Sequence, residues 1–301
     1  MRFVMSSTPA SAVLSAAVWR ERADLHRQRA VLHTEPARMR RDHGEPHPIA
    51  DFLFEYYPFP FSLLENWHPG MGLALEAAPP ALSPPFSERC YHLADGVIMA
   101  DPGKLSNKER QRLAWMTELL EATRDRAGNF ACHGLHEWAM VYRGMEVRHE
   151  KTLKLRLPQP EIDALVESRA VCCSHHDAFR FFAPDARHLN RLQPDLESRG
   201  LLEQPGCLHA NMDLYKWAAK AMPWVGSDLL LDCFELAVEL RELDMRASPY
   251  DLTDWGREPV RIETPDGRRV YETEQRLLSS KAEPLRKRLI AKLHMTLNAA
   301  S

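Results

Sequence analysis

The run Ser227-Asp-Leu-Leu-Leu-Asp-Cys-Phe-Glu-Leu-Ala-Val-Glu-Leu-Arg-Glu-Leu-Asp-Met-Arg246 decides the fold class. It contains neither glycine nor proline, and Leu229, Leu230, Phe234, Val238 and Leu240 give it an apolar side. Asp232, Glu235, Glu239 and Glu242 follow one another at steps of three, four and three. Such steps keep side chains on one face of an α-helix. The spacing predicts an amphipathic helix capped at Ser227, long enough to serve as the spine of a bundle.

The neighbouring segments extend the same pattern. Pro205 and Gly206 open a predicted helix that carries His209 and Asp213 and runs to about Met222. Pro160 opens another. Ser106 and Glu109 form a capping-box signal for a helix with Leu113, Met116, Leu119, Leu120 and Thr123 on one side. Residues 8–41 read as a helix rich in arginine, so residues 1–45 form a basic N-terminal helical extension. Leu153, Leu155 and Leu157 alternate with Lys and Arg as one short strand. Residues 77–88 are a proline-rich connector. Residues 258–272 read as a β-hairpin turning at Pro265-Asp266-Gly267, followed by a charged helix over 273–297. The expected fold is mainly α: a single helical domain over 1–301, a helical bundle with a minor β-hairpin.

Composition sets the boundaries of function. With 45% apolar and 27% charged residues in 301, the chain can bury a substantial core. A net charge of −3 offers no basic field of the kind a dedicated nucleic-acid binder shows, although local patches remain open. The early apolar run is broken by Ser6, Ser7, Thr8 and Pro9, and no span reaches transmembrane length. The expectation is a cytoplasmic protein with no membrane partner, its six cysteines held as thiols.

Seven of the fourteen histidines lie between residues 132 and 209, most of them beside a cysteine or a carboxylate. Imidazole and carboxylate are the ligands of zinc and iron and the common proton-transfer groups of enzymes. On a helix, His133, His136 and Glu137 share one face, and His209 and Asp213 stand four apart. His176-Asp177 forms a third segment. Glu235 lies beside apolar Cys233 and Phe234, where a buried carboxylate requires a cation or a histidine partner. Helical bundles assemble metal sites from such positions. The expected metal ligands are therefore His133, His136, His176, His209, Asp213 and Glu235. Glu137, Asp177 and Arg180 are the candidates for acid–base and anion-binding roles. Residues 51–67 concentrate aromatics among prolines, and Tyr56, Tyr57 and Trp67 are candidate walls for a substrate. Plainer readings stand beside these: an internal hydrogen bond for His209 and Asp213, a solvated stripe for the carboxylates of 232–242, and a core plug for the aromatics.

The leading expectation is a metal-dependent enzyme that converts a small aromatic or heterocyclic substrate. Iron, with oxidation by O₂, is preferred over zinc and hydrolysis, because the set pairs imidazole with carboxylate and shows no close thiolate pairs.

Longer strings carry a resemblance. They are His47–Phe54, Trp67–Gly70, His133–Tyr142, Asp177–Pro184, Pro205–Trp217, Arg241–Leu252 and Glu258–Gly267, 65 of the 301 residues together. In these the sequence resembles a bacterial family that carries the automatic label 3-methyladenine DNA glycosylase. The resemblance implies an alternative activity, excision of alkylated purines, in which a base is extruded onto aromatics near a carboxylate. It would make nucleic acid the partner instead of a small molecule. A non-enzymatic helical module is the third alternative.

Overall fold

The 227–246 run is helical, as its pattern requires, and it lies at the centre of a mainly α architecture. A computed structural model describes residues 12–78, 85–86, 89–144 and 153–300. In chain order, the α-helices are α1 (Ala16–His43), α2 (Phe52–Tyr56), α3 (Phe61–Glu65), α4 (Asn107–Arg124), α5 (Leu135–Met140) and α6 (Gln159–Glu167). They continue with α7 (His176–Phe179), α8 (Arg199–Leu202), α9 (Leu208–Lys220), α10 (Ser227–Arg246) and α11 (Pro265–Ala299). Four strands accompany them: β1 (Ala12–Leu14), β2 (Leu73–Glu76), β3 (Tyr91–Ala94) and β4 (Val97–Ala100).

Helix α9 is buried along almost its whole length, every residue from Leu208 to Ala219. It packs against α10 and α11, and α11 also covers α4. The capping box at Ser106 and Glu109 forms as its spacing predicts. Ser227 does not cap α10. It is the helix's first residue after Gly226, and its hydroxyl donates to the Asn66 carbonyl and accepts the His68 N–H, both at 2.9 Å. Ser227 therefore ties α10 to the loop after α3.

The β-structure is real but lies elsewhere than expected. Residues 258–272 form no hairpin. Thr264 caps α11, its hydroxyl accepting the Gly267 N–H at 3.0 Å, with Pro265 in the first turn. A Pro-Asp-Gly triplet after threonine serves a helix start as well as a turn, because proline fits the first helical position, where no N–H partner is needed. The hairpin joins β3 to β4 through Asp95 and Gly96, both at positive φ (51° and 74°), the geometry a two-residue turn requires. Strand order is β1-β2-β4-β3, with β1 parallel to β2 and the other pairs antiparallel. The alternation at Leu153–Leu157 produces only an isolated bridge between Leu155 and Tyr250. The helix expected from residue 8 begins at Ala16, after β1, and residues 8–11 lie outside the described residues. Most of the 77–88 connector lies outside them too.

Helix α1 has a buried face at His26, Ala30, Thr34 and Ala37 and packs on α3 and α10. The sheet has a small core of its own, formed by Trp67, Leu75, Phe86, Tyr91 and Ile98. No described helix is long and apolar enough to cross a membrane.

Candidate metal centre

Helices α5, α9 and α10, with the residues at the start of α7 and the end of α8, supply two groups of buried imidazoles and carboxylates that could hold a metal ion. His136, Glu137, His209 and Asp244 form one; His175, Glu203 and Asp213 form the other. In each group the candidate ligand atoms all lie within 4.8 Å of one another. The rings of His136 and His209 meet edge to face with centroids 4.6 Å apart, and the His175 ring stacks near His209 at 5.5 Å.

In the first group, His136 Nε2 lies 2.7 Å from Asp244 Oδ1, and Arg241 donates to Asp244 Oδ2 at 2.9 Å and to Glu137 at 3.4 Å. Burial disfavours the charged form of His136, but Asp244 outweighs it and holds the imidazole pKa well above its ordinary value. Burial likewise opposes ionisation of Asp244. The charge of His136 and its hydrogen bond, with a smaller contribution from Arg241, reverse that and keep the carboxyl pKa below the usual range. Burial, then the charge of Asp244, pushes Glu137 upward. His209 behaves differently. Its ring is 8% exposed, neither nitrogen has a hydrogen-bond partner among the described residues, and burial drives its pKa down to about 3. A neutral buried imidazole with unshared nitrogens could serve as a metal ligand.

In the second group the carboxylates are already engaged, while His175 Nδ1 is buried without a hydrogen-bond partner among the described residues. Asp213 accepts from Tyr57 Oη at 2.6 Å, His175 Nε2 at 3.2 Å, Arg199 Nη2 at 3.1 Å and the Lys216 ammonium. Arg199 also donates to Glu203 at 2.7 Å, and Lys216 to Asp177 at 3.1 Å. Two cations on these carboxylates leave little reason for a third. This layer is a charge-balanced support beneath the first group.

A narrow cavity of about 30 Å³ reaches the first group between Phe52, Tyr56, Met140, Asp177, Glu137 and His209. It has room for about two water molecules.

The fold thus gathers several residues expected from sequence: His136, Glu137, His209, Asp213, Asp177, Tyr56 and Tyr57. Tyr57 is a support beneath Asp213 instead of a substrate wall. Arg180 lies at the rim, half exposed, 3.4 Å from Asp177 and flat over the Phe181 ring. Asp213, expected beside His209 in one ligand set, belongs to the second group, and four more expectations are corrected. His133 precedes α5 at φ 47° and points to Glu272 at 3.7 Å, so it does not share a face with His136. His176 turns its Nδ1 to the Pro194 carbonyl at 3.3 Å, and its neighbour His175 points inward instead. Glu235 sits on the outer face of α10, where Arg29 Nε donates to it at 2.7 Å and His33 approaches at 3.4 Å. The cation its partial burial demanded is an arginine. Trp67 belongs to the sheet core and donates to Asp228 at 3.1 Å.

Sequence reasoning missed His175, Glu203, Arg199, Lys216, Arg241 and Asp244. Lys216 was within reach, three residues beyond Asp213 on the His209 face. So was Asp244, which continues the buried row Ala237, Leu240, Arg241 of α10. His175 and Arg199 lie in short, irregular segments with no periodicity to reveal their direction. Compared with protein-family models, curated proteins and solved structures, the chain matches none.

Proposed function

We propose that the chain is a metal-dependent enzyme whose ion is held by His136, Glu137, His209 and Asp244. The observation that carries this reading is the four-donor convergence around an imidazole, His209, that is buried and without a hydrogen-bond partner among the described residues. Two imidazoles with carboxylates suit iron(II) and zinc, and we favour iron because no thiolate joins this set. When bound, iron supplies oxidation by O₂, whereas zinc supplies an activated water.

The chain's own groups have definable tasks around such an ion. Arg241 fixes Asp244 and Glu137 and neutralises one of their charges. Asp213, Arg199 and Lys216 hold the layer below in one arrangement. Phe52, Tyr56 and Met140 exclude bulk water from the cavity, and Asp177 at its wall is kept ionised by Lys216 against the opposing effect of burial. The cavity admits a water or a diatomic molecule. The small aromatic or heterocyclic substrate we assign to the site would approach from the side of Tyr56 and Arg180.

Elemental analysis of protein purified without chelator tests the proposal. About one ion per chain is expected, with a fall in stability on chelation, because binding free energy at a buried site is also folding free energy. Substoichiometric metal and unchanged stability would overturn it. Release of alkylated purines from DNA by the metal-free protein would favour the glycosylase alternative.

A further inference from the structure

Cys132 touches the proposed centre without belonging to its ligand set. Its sulfur lies 3.3 Å from His136 Nδ1, while Nε2, on the other edge of the ring, faces Asp244 at 2.7 Å. An imidazole ligates through one nitrogen, and the partner of the other nitrogen selects the tautomer and holds the ring plane. We propose that Cys132 is the positioning residue of the centre: its sulfur accepts the His136 Nδ1–H and so presents Nε2 to the ion. This inference rests on the metal reading above.

The backbone is built to deliver that sulfur. Cys132 and His136 are four residues apart, yet α5 begins only at Leu135, so helical geometry does not bring them together. Instead, His133 and Gly134 take positive φ in succession, 47° and 76°, and fold the chain back. Leu135 N–H closes the turn on the Cys132 carbonyl at 2.9 Å. A histidine in the left-handed region costs about 1–3 kcal/mol, a strain that persists where the surroundings over-determine the backbone. Gly134 has little room for a side chain, since a Cβ there would stand 3.2 Å from Ala247 Cβ and 3.3 Å from Tyr271 Cε2.

The surroundings protect the contact. Cys132, His136, His209, Cys173, Cys207 and Tyr271 are among the residues that line a cavity of about 10 Å³. That is room for at most a single water. His136 is itself buried and Cys132 half-buried, so little water reaches Nδ1–H and a weak sulfur acceptor suffices. Across the same ring, Asp244 is held by Arg241 at 2.9 Å, so the ring is fixed from both edges.

Cobalt(II) titration of the wild type, Cys132→Ser and Cys132→Ala, read by visible absorption, tests the assignment, with urea unfolding of each metal-free protein as a control. Alanine is expected to weaken cobalt binding about 10–100-fold and shift the d–d bands, as removal of an outer-shell partner does. Serine keeps an acceptor and is expected to restore most of the affinity and the band positions. Wild-type-like cobalt binding in Cys132→Ala would overturn the inference while leaving the metal reading standing. Equal loss in both variants would overturn the hydrogen-bond role, and a sulfur-to-cobalt charge-transfer band would make Cys132 a ligand instead. A wild type that binds no cobalt overturns the metal reading and this inference with it.

Discussion

His136 Nε2 and Asp244 Oδ1 stand 2.7 Å apart with both side chains buried, joining two helices across 108 positions of sequence. The pair anchors the proposed centre, and Arg241 completes it from the other side of the carboxylate. Removing the carboxylate leaves the buried Arg241 guanidinium with only its longer carboxylate contact, to Glu137, among the described residues, and His136 Nε2 without its partner. Asp244→Ala should cost about 3–5 kcal/mol in urea unfolding, the range for stranding a buried charge, and should abolish metal retention. An unfolding free energy within experimental error of wild type would refute this.

Glu235 and Asp213 provide a paired test of what the fold selected. Glu235 is an outward carboxylate served by Arg29, itself 41% exposed, and such pairs contribute about 0–1 kcal/mol. Glu235→Gln should therefore leave stability nearly unchanged and metal content intact. Asp213→Ala deprives Arg199, Lys216 and His175 of a shared partner and should cost about 3–5 kcal/mol. Similar losses for both would contradict the assignment of inside and outside.

Acid sensitivity should come in part from His68, far from the centre. Burial, with a smaller effect from His26, lowers its pKa from 6.5 to about 4, and its Nδ1 lies 2.8 Å from Tyr91 Oη. Between those values the unfolded chain binds a proton that the folded chain refuses. Stability is then fully present above pH 6.5 and falls as the pH drops toward 4. The loss should approach about 2–3 kcal/mol. Urea midpoints of wild type and His68→Gln, followed across this range, should show a shallower decline in the variant.

Gly267 marks the α11 start that replaces the expected hairpin. A Cβ there would fall 1.9 Å from the Arg261 carbonyl oxygen, a backbone atom that no side-chain rotation relieves. Gly267→Ala should cost about 3 kcal/mol, at the upper end of ordinary point mutations. A neutral result would show that residues 261–264 shift freely.

The legible parts of the sequence were those in which one helical period repeats several times. Helices α4, α9 and α10 follow from spacing and proline positions, but His209 and Asp213, four apart on α9, fall into separate groups. Legibility ended at segment starts. One residue of ambiguity at Gly134 separated His133 from His136, and one at His175 exchanged the inward imidazole for the outward one. The Thr-Pro-Asp-Gly string suits a turn and a helix cap alike, so only the chain that follows chooses between them.

By itself, then, the sequence determined the helical class, the positions of α4, α9 and α10 and the supply of imidazole and carboxylate, because periodicity and capping act over a few residues. The tertiary structure decided which of those groups meet. A helical side chain turns about 100° with each residue, and short loops set the phase of each helix through single dihedrals such as those of His133 and Gly134. The neighbours of Asp244 and Glu235 are both apolar in sequence, yet one faces His136 and the other Arg29. That difference is a matter of which side of α10 packs on α9, and long-range packing alone establishes it.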